Sequence, residues 1–299
     1  MLDKLTFLVA LAREKHFGRA AEGCGVTQPT LSAGLKQLEA TLGVLLVHRS
    51  GRFGGFTPEG ERVLVWATRI VADARAMRDE VRALLEGLSG HLRLLAVPTA
   101  LPAVARLTTP LRLAHPQVTF SVRSCSAAEV LAGVETLQAD AGITYIGGEG
   151  LGRFRSVALF EERYRLLVPA GDALAERRSV RWADLSDIPL SLLTSDMQNR
   201  RIIELRLQNA GGFRPPVLES NSIIVLITHV RSGHWASVIP AIMAESLGVQ
   251  EGLRSIPIVE EEACPIIGLV YPQREPLLPL TSALLAEARL AFVGEMPDR

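Results

Sequence analysis

In Phe17-Gly18-Arg19-Ala20-Ala21-Glu22-Gly23-Cys24-Gly25-Val26-Thr27-Gln28-Pro29-Thr30-Leu31-Ser32, Phe17 breaks the preceding pattern, Gly18 to Cys24 reads as a short helix, and a tight turn and the opening of a longer helix follow. Gly25-Val26-Thr27 supplies the turn. Thr27 is a good N-cap, and Pro29 sits in the first turn of the helix that follows, where a missing N–H costs little. That helix carries Leu31, Leu35, Leu38 and Leu42 at i, i+4, i+7 and i+11, which predicts one buried stripe. Ala20 and Ala21 are small enough to let the two helices approach closely. Upstream, residues 2–14 place Leu5, Leu8, Val9 and Ala12 on one face of another helix. Downstream, Arg49-Ser50-Gly51-Arg52-Phe53-Gly54-Gly55-Phe56 reads as a glycine-rich β-turn between basic residues. The pattern over residues 1–58 is an all-α winged helix-turn-helix.

The side chains off the buried stripe are those that read nucleic acid. Gln28 can pair bidentately with adenine, Thr30 and Ser32 suit base edges, thymine methyls or phosphates, and Lys36 suits phosphate or guanine. Pro29 lies among them, and Arg49 and Arg52 flank a wing that can touch the backbone. Double-stranded DNA is therefore the expected partner. Residues 1–58 hold seven Lys and Arg against four acids, whereas the whole chain is formally neutral, so the charge asymmetry has the right sign. Pattern alone leaves open a small three-helix bundle used for protein contact.

A chain of 299 residues, 48% of them hydrophobic, has room for two or three domains with real cores. No apolar run approaches the ~18 residues of a membrane span, and the N-terminus is amphipathic rather than a signal peptide. The expectation is a cytoplasmic protein with no membrane partner. Cys24, Cys125 and Cys264 are scattered without ligand spacing, as reduced structural thiols are.

From Pro58 to Leu88, Val63, Ala67, Ile70, Ala74, Met77, Val81, Leu84 and Leu88 recur at alternating spacings of four and three. That predicts a linker helix over 59–90 with a coiled-coil seam, hence a homodimer able to read two half-sites. After Gly90, short apolar runs alternate with helical stretches, which predicts an α/β domain over 91–299 with largely parallel sheets. Thr99, Ser126, Thr194 and Asn221 each fall between a strand and a helix, where ligands bind in such folds. Helix N-termini gathered there would offer N–H donors to an anion.

The run Phe17–Glu22, Val26–Ser32, Leu38-Glu39, Leu42-Gly43-Val44, Leu46, Arg49 and Thr57-Pro58-Glu59-Gly60 resembles the LysR-type regulator signature. One departure is Ala33-Gly34, where many members have a basic residue after the serine. The resemblance implies an α/β chain with an N-terminal winged helix-turn-helix, a long linker helix and a two-lobed, periplasmic-binding-protein-like domain. Lobe I is then expected over about 91–162 and 267–299, and lobe II over about 163–266. It implies a transcription regulator that binds DNA sequence-specifically, assembles as a homodimer and homotetramer, and counts RNA polymerase among its candidate partners. An effector, expected as a small anion or organic acid, would lie between the lobes at Thr99, Ser126, Thr194, Gln198 and Asn221, with Ala100 and Ser124 next in line. Residues 194–201 and 229–238 are similar to regulators found near formate dehydrogenase genes, which would make formate the effector. Peroxide-sensing members need a second cysteine close in sequence to the first, and Cys125 has none.

Other classes find less support. Gly148-Glu149-Gly150-Leu151-Gly152 has its third glycine one place early for a dinucleotide fingerprint, and neither GxSxG nor HExxH occurs. The six histidines show no ligand spacing, so no catalytic residue, metal or cofactor is expected. A solute-type binding protein without sequence-specific DNA function is the alternative, and it leaves the helix-turn-helix and heptads unexplained.

Overall fold

The computed structural model describes residues 1–49, 53–147, 151–246, 248, 252–259 and 263–295. Ser50–Arg52, expected in the wing, and the glycines Gly148 and Gly150 lie outside the described residues, as do the side chains of Arg49 and Glu86. The chain divides into two units, Met1–Gly87 and Leu88–Arg299.

The first unit runs α1 (Leu2–Glu14), α2 (Phe17–Gly23), α3 (Gln28–Leu42), β1 (Val47–Arg49), β2 (Phe53–Phe56) and α4 (Pro58–Glu86). Local chemistry sets these boundaries. Thr27 accepts from the Thr30 N–H to start α3, and Thr57 accepts from the Gly60 N–H at 2.9 Å to start α4. β1 and β2 pair antiparallel, Val47 opposite Phe56 and Arg49 opposite Phe53, which forms the stem of the wing. Leu8, Leu11, Ala20, Leu31, Leu35 and Leu46 are fully buried at the centre.

Two details of the stripe differ from expectation. Leu42 is exposed, because Gly43 turns the chain into the left-handed region at φ 71° and ends the helix there. Gly34 and Glu39 are buried instead. A Cβ at Gly34 would stand 2.7 Å from the Phe7 ring, so glycine is what lets α3 lie against α1. Glu39 accepts from the backbone N–H groups of Leu46 and Val47 at 2.9 and 3.3 Å, tying α3 to the base of the wing.

α4 is one unbroken helix of 29 residues. Its first turns serve its own unit: Ala67 is buried in the core, and Val63, Leu64 and Val71 pack against it. Further along, Met77, Val81, Leu84 and Leu85 are more than half exposed. The helix stops at Glu86 with Gly87 as C-cap, short of the expected residue 90. Leu88, expected as the last seam position, packs instead against the core of the second unit.

The second unit has two lobes. Lobe I holds β3 (Gly90–Ala96), α5 (Leu101–Ala114), β4 (Val118–Ser124), α6 (Ala127–Glu135), β5 (Ala141–Ile146) and β6 (Phe154–Glu161). Lobe II holds β7 (Tyr164–Pro169), β8 (Val180–Arg181), β9 (Leu190–Leu193), α7 (Gln198–Asn209), β10 (Leu218–Ser220), α8 (Ile223–Arg231), β11 (Ala236–Pro240), α9 (Ala241–Ser246) and β12 (Leu253–Val259). The chain then returns to lobe I as β13 (Ile266–Pro272) and α10 (Pro279–Ala291). The sheet orders are β4-β3-β5-β13-β6 and β10-β9-β11-β7-β12-β8. Both sheets are mixed rather than largely parallel. β13 runs antiparallel to β5 and β6, and β7 runs antiparallel to β11 and β12. These reversed strands are the first that the chain lays down after each passage between lobes. Separate apolar cores fill the lobes, one around Leu94, Leu107 and Leu269, the other around Leu166, Leu192 and Val238.

Candidate functional site

In the first unit, Gln28, Pro29, Thr30 and Lys36 are exposed on one side of α3, and Ser32 is half-buried. The Thr30 hydroxyl bonds the Thr27 hydroxyl at 2.9 Å, so it also steadies the helix start. Thr30 therefore has less freedom to reach a base than Gln28. Arg52 and the Arg49 side chain fall outside the described residues.

In the second unit, parallel pairing aligns strand ends within each lobe. Ala96 of β3 lies opposite Ser124 of β4, and Leu193 of β9 lies opposite Ser220 of β10. Thr99 and Ala100, in the turn after β3, are buried. Ser126 is buried and committed to a capping box with Glu129, accepting from its N–H while the Glu129 carboxylate accepts from Ser126 N–H and Oγ–H, both at 2.8 Å. Those bonds hold the Glu129 carboxyl below the usual range. Ser124 and Asn221 are exposed.

Thr194 and Asn221 do not cap the helices they precede. Met197 and Ser222 occupy the cap positions, and neither makes a side-chain cap bond; nor does Ala100 at the start of α5. Thr194 Oγ1 is buried without a partner. The Gln198 amide oxygen accepts from Arg201 at 2.6 Å, and the same guanidinium also donates to the Ser195 and Asp196 carbonyls. Arg201 thus clamps the turn that presents the start of α7.

Of the residues that join the lobes, pattern reading named Thr99 and passed over Glu162, Tyr145, Tyr164 and Asn199. Glu162, between β6 and β7, is 1% exposed. Its Oε2 accepts from Tyr145 Oη and Tyr164 Oη, each at 2.7 Å, and from Asn199 Nδ2 at 3.4 Å. Thr99 Oγ1 lies 3.4 Å from Tyr145 Oη. Thr99 and Tyr145 belong to lobe I, Tyr164 and Asn199 to lobe II, so one carboxyl group ties the two together. Burial raises the Glu162 carboxyl above its ordinary value, against the lowering effect of the hydroxyl and amide bonds. Burial, and then the nearby Glu162, push both tyrosine hydroxyls well above theirs, so both stay protonated donors. Asp196, in the turn before α7, acts to raise the Glu129 carboxyl of α6, so these two like charges face each other across the lobes as a repulsion.

A cavity of about 570 Å³ opens beside the same crossover, lined among others by Glu161, Arg163, Tyr164, Glu245 and Cys264. None of the expected effector residues lines it. Among the described residues, no three His, Cys, Asp or Glu side chains gather as a metal site requires, and no helix is long and apolar enough to cross a membrane.

Residues 2–61 match the bacterial regulatory helix-turn-helix of the lysR family, and residues 85–292 match the LysR substrate binding domain. The chain belongs to the LysR family. It is thereby a DNA-binding transcription regulator with an effector-binding domain, and not an enzyme. LysR relatives of similar length include the hydrogen peroxide-inducible genes activator of Dickeya chrysanthemi and the DNA-binding transcriptional dual regulator OxyR of Escherichia coli K12. Each is 28% identical over 274 residues, covering 91% of this chain and 90% of the relative. A full-length cysteine variant of OxyR from Pseudomonas aeruginosa superposes with a TM-score of 0.81 at 27% identity, covering 100% and 98% of the two chains. CbnR in complex with its target DNA shares the LysR fold at a TM-score of 0.67 and 21% identity, covering 97% and 99%. These matches do not single out the regulators near formate dehydrogenase genes.

Proposed function

We propose that this LysR-family chain works as a dimer that reads DNA with the exposed side of α3 and responds to a small anion held between the lobes of its second unit. The observation that carries the effector reading is the Glu162 cluster, in which groups from both lobes close on one buried side chain. A molecule that entered there would set the distance between lobes, and a ligand that prefers one spacing shifts the population toward it. The uncapped starts of α5, α7 and α8 favour an anion, an organic acid such as formate among them. The exposed apolar side chains of α4 from Met77 to Leu85 support pairing with a second copy. A tetramer would follow from two such dimers, and contact with RNA polymerase from a site beside a promoter.

The Dickeya chrysanthemi relative is named for hydrogen peroxide, which invites a thiol mechanism. Cys125 and Cys24 argue against carrying that over. Cys125 is buried, and its thiol is pushed up by burial and then by Glu129, which disfavours the reactive thiolate. Burial likewise raises Cys24, which lies in the other unit.

The test is footprinting of the full chain on the DNA upstream of its own gene, at two salt concentrations, with random competitor DNA. Formate, acetate, nitrate and hydrogen peroxide are added separately. Salt-sensitive protection that survives competitor and shifts with an anion is expected. Equal binding to competitor would sink the sequence-specific reading. A shift caused by peroxide and abolished by Cys125→Ser would replace the anion reading with a redox one.

A further inference from the structure

The Glu162 carboxyl is bonded on one side only. Three donors converge on Oε2, whereas Oε1 is buried and has no partner. As a carboxylate, Glu162 would leave charge on Oε1 with no bonded donor, and an unpaired buried charge is far more costly than an unpaired neutral group. As a carboxylic acid, Oε2 becomes the carbonyl oxygen that three donors suit, and Oε1 becomes a hydroxyl with a proton and no acceptor. The second arrangement leaves only a neutral group unsatisfied.

The neighbourhood agrees from every side. Tyr145 on β5, Tyr164 on β7, Asn199 on α7 and Thr99 before α5 all meet the group with hydroxyls or an amide. The guanidinium of Arg206 acts on Tyr164 rather than on Glu162. Arg200, also on α7 and buried, is turned to Glu219, to Glu204 and to the Leu193 carbonyl. Among the described residues no basic side chain pairs with Glu162, and its carboxyl is held above the ordinary range by burial.

We infer that neutral Glu162 donates its Oε1–H to an oxygen of the anionic effector, so that effector and proton are bound together. This rests on the reading of the interlobe gap as the effector site and adds what that site asks of its ligand, a charged oxygen acceptor. No covalent bond changes. Where Glu162 is ionised before binding, one proton comes from solvent as the anion enters. At low pH, where it is already neutral, none does, and uptake sets in as pH rises through the native value of Glu162. The anion brings the acceptor that Oε1–H lacks, and the proton removes the repulsion that two facing carboxylates would suffer.

The test is calorimetric binding of formate, acetate and nitrate to the full-length protein from pH 5 to pH 8.5, in buffers of different ionisation enthalpy. Above the native pKa of Glu162, binding should take up one proton, and affinity should fall about tenfold per pH unit. Glu162→Gln can place its NH2 where Oε1–H stood and its carbonyl where the three donors converge. It should bind the same anion with no proton uptake and a flat pH profile. Tyr145→Phe removes one donor to Oε2 and should move the uptake window to higher pH. Proton uptake unchanged in Glu162→Gln, anion binding without uptake throughout the range, or no binding by any of the three probes would each overturn the inference. Footprinting of the same preparations keeps the outcomes apart. Selective DNA protection with a pH-independent anion response would leave the regulator reading standing and remove only Glu162 from it.

Discussion

Gly60 lies in the first turn of α4, where a Cβ would come within 2.0 Å of the Leu46 carbonyl oxygen and 2.9 Å of its carbon. Replacing it with alanine sets two effects against each other. Within a helix, alanine is favoured over glycine by about 1 kcal/mol. The obstacle, however, is backbone, so no side-chain rotation relieves it, and ordinary contact begins near 3.4 Å. The strand base and the helix must therefore separate by more than an ångström. That breaks the 3.0 Å bond from Thr57 N–H to Leu46 O and strains the 2.6 Å bond from Thr57 Oγ1 to Leu45 O. Overpacking costs about 1–3 kcal/mol, and each bond lost adds about 1 kcal/mol. The clash wins, with a net loss of about 2–3 kcal/mol to the first unit. Hydrogen exchange of the full chain reads this directly. Protection of the Leu31–Leu38 amides should fall about 30- to 150-fold, while Leu92–Ala96 in the other unit stays unchanged. Equal or greater protection of α3 would refute the reasoning and mean that helix propensity prevails.

Three further outcomes follow from features described above. Gln28→Ala should cost about 1–3 kcal/mol and relax discrimination at one base, whereas Lys36→Ala should weaken all sequences alike and lower the salt slope by about one; competition binding checks both, and unchanged binding in each would exclude the exposed side of α3 as the reader. Leu84→Glu, at a position 82% exposed in the single chain, should turn the dimer into monomer in sedimentation without lowering the stability of either unit; a dimer that persists would place the seam elsewhere. For Glu162→Gln the sign of the pH effect is fixed. The native carboxyl is raised, so its stabilising share is full at low pH and lost as pH rises through the native value. The advantage of glutamine in urea midpoints should therefore grow from pH 5 to pH 8, and a constant difference would exclude a raised carboxyl.

The first unit was legible because its signals are local. Thr27 and Pro29 act within one turn of themselves, and the first four helices start within a residue of where they were expected. The errors there came from extending a period past its stop: Leu42 sits beside the glycine that ends α3, and Leu88 lies beyond the one that ends α4. In the second unit most strands announced themselves as apolar runs, but their direction did not, since buried strands of either sense look alike in sequence. β6 went unread because its partner β13 comes from the far end of the domain, and Arg155 and Ser156 interrupt its apolar character. Glu162 sits in the charged run Glu161-Glu162-Arg163, which reads as a solvated loop. Only the meeting of Tyr145, Tyr164 and Asn199 around it reveals a buried cluster, and those residues are brought together by two lobes folding against one another.

β6 and β13 are neighbours in one sheet, with Glu161 opposite Ile266, and the Glu162 N–H donates to the Pro265 carbonyl at 2.8 Å. Everything between those points is lobe II, with a complete sheet and core of its own, and Ile242 of α9 also packs against the core of lobe I. Topologically it is an insertion whose two ends meet at a single hydrogen bond. Joining Glu161 to Ile266 through a tight turn would restore a plain hairpin, and lobe I would keep its whole five-stranded layer. The excised segment could be closed on itself or transplanted between the strands of another hairpin, because its entry and exit are already the width of one.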